Sequence, residues 1–137
     1  MRYFFDTNVL VYLFDSGSPR KQSVARDLLE KHGLAGDMLL STQVLQEFYV
    51  TVTRKFATAV SPGTAYQTVR DLATLPVVLV DAGMVLAAIR ASQEQQLPFW
   101  DALIVRAALE GGAGVLYSED FHHGLEIGGL RVENPFR

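Results

Sequence analysis

Short apolar runs alternate along this chain with longer segments of helical period, and that alternation constrains the fold more than any other feature. Arg2-Tyr3-Phe4-Phe5 and Met38-Leu39-Leu40-Ser41 read as buried strands. Val77-Val78-Leu79-Val80 is the clearest strand pattern, Val115-Leu116-Tyr117 gives a fourth, and Leu130-Arg131-Val132 can form a last short one. Between them apolar residues return at helical spacing. A short helix is expected over residues 8–14, and Val24, Ala25, Leu28 and Leu29 form a stripe after Pro19, with His32-Gly33 as the expected stop. From Thr42 the stripe is Val44, Leu45, Phe48, Val52 and Phe56; after Ser61-Pro62 it is Ala65, Val69 and Leu72. Further helices are expected over residues 82–96 and 98–109. Such a pattern builds βαβ units, hence an α/β fold with a central parallel sheet of four or five strands and helices on both faces. Right-handed crossovers then bring every strand's C-terminal end to one edge, where open α/β sheets form their ligand crevice.

At 137 residues the chain suits one domain, residues 1–137, large enough to bury a core without staples. It has no cysteine, which excludes disulfides, zinc thiolates and thiol nucleophiles and fits a cytoplasmic location. The opening segment reaches Asp6 too soon to be a signal peptide, and no apolar run is long enough to span a bilayer. The formal net charge of −3 argues against holding nucleic acid by a basic surface alone. It leaves room for a nuclease whose acids converge on a cation.

The acids fall at the shared edge. Asp6 and Asp120 follow strands; Glu47 and Asp101 sit in early turns of helices that start near it. Singly, each has an ordinary explanation as a helix cap, a dipole-favoured acid or a solvated one. Asp81 also follows a strand, and capping the next helix is its expected job. Together, Asp6, Glu47, Asp101 and Asp120 would crowd one pocket and raise one another's pKa. A divalent cation resolves that repulsion, and hard oxygen donors without cysteine or paired histidines select magnesium or manganese. One or two such ions can activate a water and stabilise the leaving oxygen in phosphodiester cleavage.

Phe5-Asp6-Thr7-Asn8, Ser41-Thr42-Gln43-Val44-Leu45-Gln46-Glu47, Trp100-Asp101-Ala102-Leu103-Ile104 and Leu116-Tyr117-Ser118-Glu119-Asp120-Phe121 together resemble a PIN-domain ribonuclease, most closely the VapC type found as bacterial and archaeal toxins. The resemblance spans essentially the whole chain, and its strength lies in the ordered set of four motifs. It implies a three-layer α/β/α sandwich, a Mg2+- or Mn2+-dependent endoribonuclease, frequent homodimers and a small antitoxin protein as partner. It also implies that Asp6 and Asp101 are the firmest metal ligands, with Glu47 and Asp120 binding directly or through water. Ser118 matches a small hydroxyl residue near the metal, and Asn8 matches an asparagine that holds Asp6. Glu119 directly precedes Asp120, so which of the two faces the metal stays open, with Asp120 favoured by its spacing from Ser118.

His122 and His123 are expected as loop residues or substrate neighbours. Arg20, Lys21, Arg54 and Lys55 are candidate phosphate contacts, with ordinary surface charge the simpler account of each. Two alternatives differ in class. A phosphohydrolase of the haloacid-dehalogenase type would use Asp6 as nucleophile, but position 8, where its second acid belongs, is asparagine. A non-catalytic, metal-free interaction module would use the acids only as caps.

Overall fold

The computed structural model describes residues 1–54 and 60–137. Phe56 and Lys55, expected on the helix stripe and among the phosphate contacts, lie outside the described residues. Six strands form one sheet in the order β3-β2-β1-β4-β6-β5: β1 Arg2–Phe5, β2 Met38–Ser41, β3 Val77–Val78, β4 Ala113–Tyr117, β5 Glu126–Ile127 and β6 Leu130–Glu133. All neighbouring pairs are parallel except β5 with β6. The helices are α1 Thr7–Val11, continued by a 3-10 turn Tyr12–Phe14, α2 Pro19–Ala35, α3 Thr42–Arg54, α4 Pro62–Leu72, α5 Ala82–Gln95 and α6 Phe99–Glu110.

The expected α/β fold is present, as a three-layer α/β/α sandwich. Side chains alternate across β1. Tyr3 and Phe5 project to the face covered by α2, where both rings meet His32. Phe4 projects to the opposite face and is equally buried. Both faces of β1 are thus covered, as a central strand of a layered parallel sheet requires. The buried side chains form one core cluster running from Phe4 to Phe136.

Three local expectations are corrected. The sheet has six strands, because a two-residue turn at Gly128-Gly129 (φ 56° and 87°) folds β5 back on β6. Glycines tolerate those positive φ values and make the hairpin. Residues 77–80 pair with β2 only at Val77 and Val78; Leu79 is 72% exposed, because β3 lies on the sheet's edge. The second helix does not stop at His32-Gly33. It continues to Ala35 and ends on left-handed Gly36, whose N–H bonds the His32 carbonyl. His32 is instead a core residue, its ring nitrogens meeting Asp37 Oδ1 at 2.8 Å and the Tyr117 hydroxyl at 3.2 Å.

Candidate active site

The register of β1 with β4 sets Phe5 against Tyr117, so Asp6 emerges beside Ser118 at the C-terminal edge. The Asp6 N–H donates to the Tyr117 carbonyl (3.0 Å), and Ser118 Oγ donates to Asp6 Oδ2 (2.8 Å). Thr7 N–H donates to Asp6 Oδ1 (2.7 Å), so Asp6 caps α1 as well. Asn8 lies at the centre of the same corner. Its amide contacts Ser118 Oγ at 3.2 Å and, at a longer 3.4 Å, Asp6 Oδ2; its Oδ1 accepts from the Glu119 N–H (3.2 Å). Ser118 Oγ also accepts from the Asp120 N–H (3.1 Å). One small network therefore fixes both strand ends that carry acids.

Those ends open into a cleft of about 730 Å3 whose wall includes Asp6, Glu47, Asp101 and Asp120. Glu47 arrives on α3, whose start is set by the end of β2; Asp101 arrives in the first turn of α6. Thr7 Oγ1 donates to Glu47 Oε1 (2.9 Å), joining α1 to α3. Asp6 is 4% exposed. Burial pushes its carboxyl up to about 7, against the lowering effect of the Ser118 and Thr7 donors, with Asp120 and Glu47 adding repulsion. Asp101 is raised too, first by burial and then by Asp120 and Glu47. The acids thus sense one another across the cleft.

Glu119 and Asp120, adjacent in sequence, have different surroundings. Glu119 accepts from the Tyr12 hydroxyl (2.5 Å) and from Lys21 Nζ (2.9 Å), so a cation already neutralises it. Lys21 also approaches the Tyr12 ring, 4.9 Å from its centroid. Asp120 is exposed and, together with Glu47, raises both Asp6 and Asp101. Asp81 stands apart from the cleft and caps α5 through the Met84 N–H (2.9 Å).

Two contributors were not singled out in the sequence. Thr7 anchors Glu47, as described. Gln43 is 3% exposed and lines the cleft; its amide nitrogen donates to the Trp100 carbonyl (3.2 Å) and reaches Glu47 Oε2 at 3.4 Å. Both partners accept, which sets the amide's orientation and leaves Gln43 Oε1 without a protein partner. Its position four residues before Glu47, on one helix face, was the available signal. His122 and His123 are exposed and outside the cleft wall, and His123 Nδ1 accepts from the Asn134 N–H. Arg20 donates to the Phe136 carbonyl, and Arg54 is exposed at the end of α3.

The donor chemistry fits a hard divalent cation: six carboxylates, of which Glu119 is already paired with Lys21, no sulfur, no histidine, and an unpartnered amide oxygen in the wall. The acids line the walls rather than meet at a point, and no three such side chains among the described residues are gathered as a ready-made metal site.

Fold and cleft define an α/β domain with a carboxylate-walled site at the C-terminal edge of its parallel strands. The PIN domain family model matches residues 3–123, and the chain belongs to that family. It is similar in structure to a toxin–antitoxin complex from Klebsiella pneumoniae (TM-score 0.69, 20% identity, 97% of each chain covered). It is similar also to DNA-bound VapBC from Salmonella typhimurium (TM-score 0.67, 19% identity, 97% of each chain covered). A third similar structure is VapC20 of Mycobacterium tuberculosis, a toxin that cleaves the sarcin-ricin loop (TM-score 0.61, 19% identity, 85% of this chain and 88% of that one). No curated protein sequence matched.

Proposed function

We propose that the chain is a divalent-metal-dependent endoribonuclease acting as the toxin of a toxin–antitoxin pair, with Asp6, Glu47, Asp101 and Asp120 as its catalytic acids. The observation that carries this reading is that Asp6, Glu47, Asp101 and Asp120, from four separate segments, line one cleft, beside Asp15 and the Lys21-paired Glu119. Family membership and the toxins among the similar structures support it. Asp6, Asp101, Glu47 and Asp120 would hold Mg2+ or Mn2+, and such an ion supplies Lewis-acid activation of water and charge neutralisation at the phosphodiester. Asn8 and Ser118 keep the Asp6 carboxylate and the 118–120 segment in fixed relation. Glu119 is also on the cleft wall, but it is paired with Lys21 and anchors that segment, so Asp120 is the one of the two acids left free for a cation. Hard cations retain waters, which suits acids spread along a wall.

The capping-only alternative accounts for Asp6 through Thr7 N–H but gives Asp101 and Asp120 no such role. The phosphohydrolase alternative lacks its second acid, since Asn8 is engaged with Ser118 and the Glu119 backbone. We place the activity in the cytoplasm, where RNA and an antitoxin meet; among the described residues no helix is long and apolar enough to cross a membrane. A homodimer belongs to this reading, supported by Leu86 and Ile89 exposed on one face of α5.

Purified protein should cut RNA with Mg2+ or Mn2+ and lose that activity with EDTA. Asp6→Asn and Asp101→Asn should each lower cleavage at least about 100-fold while remaining folded. Full activity in either folded variant would refute the assignment. Expression should arrest growth, with rescue by the product of a neighbouring small gene; growth unaffected by the active enzyme would remove the toxin role.

A further inference from the structure

We propose that Trp100 is a nucleobase platform, its indole stacking on an unpaired base of single-stranded RNA held in the cleft. This deepens the ribonuclease reading and rests on it. Trp100 is the chain's sole tryptophan and is 62% exposed, although α6 buries most of its other apolar side chains. Single exposed apolar residues are common and need no explanation by themselves. Trp100 differs because it is on the cleft wall, immediately before Asp101, and because it is held there. Gln43, buried, pins its backbone carbonyl, and the Phe99 ring braces the indole edge-on at 5.0 Å and 71°.

The charge of the cleft argues the same way. Carboxylates that a bound cation does not neutralise repel phosphates, so uncharged contacts on the wall add to the grip on a nucleotide chain. A rigid, half-exposed indole supplies that grip by stacking, and every base has a π-face to offer. The platform favours unpaired bases, because a base inside a duplex has both faces covered.

The indole is also its own reporter. In the uncut complex of the Asp6→Asn protein with Mg2+, a short single-stranded RNA should quench the tryptophan fluorescence saturably. The same oligonucleotide made abasic should not, at equal concentration. By anisotropy of a labelled RNA, Trp100→Ala should weaken binding by about 5- to 150-fold, and Trp100→Phe should retain most of the affinity. Equal quenching by the abasic strand, or unchanged affinity in Trp100→Ala, would overturn the platform while the wild-type chain still cleaves RNA. Quenching that follows protein concentration without RNA would assign the indole to a contact with another copy and overturn the platform too. If the wild-type chain neither binds nor cleaves RNA, the ribonuclease reading falls and the platform with it.

Discussion

Burial leaves Asp6 with a carboxyl pushed up to about 7 even though Ser118 and Thr7 both donate to it. The ordinary sign for a hydrogen-bonded aspartate is therefore reversed. Between about pH 4 and about pH 7 the folded metal-free chain holds a proton that the unfolded chain has lost, so its stability falls as pH rises through that window and levels off above it. In EDTA the melting temperature should decline across this range, and Asp6→Asn should flatten the decline. An identical slope in the variant would show that another group is responsible. Added Mn2+ should raise the melting temperature most at the alkaline end, where Asp6 is ionised and free to bind. At this scale, part of the candidate site was legible in the sequence: Asp6 and Asp120 come after strands, and Asp101 and Glu47 lie in early turns of helices. The partners that distinguish them were not. Tyr12 and Lys21 reach Glu119 across 107 and 98 positions, a closure that only the packed α1–α2 corner reveals.

Asp81 and Asp6 are alike along the chain, each a carboxylate between a β-type run and a helix, and the elements around them explain why they diverge. β1 is central and its end meets β4; β3 is an edge strand with one neighbour, so nothing converges on Asp81. Asp81→Ala should lower stability by about 1 kcal/mol through loss of the α5 cap and leave RNA cleavage unchanged, measured by denaturant unfolding and a cleavage assay. Reduced cleavage at unchanged stability would give Asp81 a part in the site. The same contrast explains what the pattern overstated. Residues 77–80 have strong β preference, yet a strand also needs neighbours, and after Val78 this one has none. Conversely, Glu126–Ile127 is too short to register as a strand by itself and exists because Gly128-Gly129 returns it to β6. Helix α2 ends at left-handed Gly36, where the sequence also offered Gly33, and it carries His32 against Tyr3 and Phe5 on the way.

For the whole molecule, the exposed Leu86 and Ile89 of α5 make self-association testable apart from catalysis. Sedimentation should show a dimer that Leu86→Glu shifts toward monomer; a wild-type monomer at all concentrations would dismiss it. The cleft lies where β1, β2 and β4 end, so the layered body serves as a rigid frame and the chemistry hangs on one rim. The opposite arrangement holds at the sides. Both outermost strands, β3 and β5, are only two residues long. A sheet that tapers this way offers an incoming strand little backbone to copy, which disfavours edge-to-edge pairing at both flanks. The helices and the cleft rim are therefore the larger surfaces for a lasting companion to recognise.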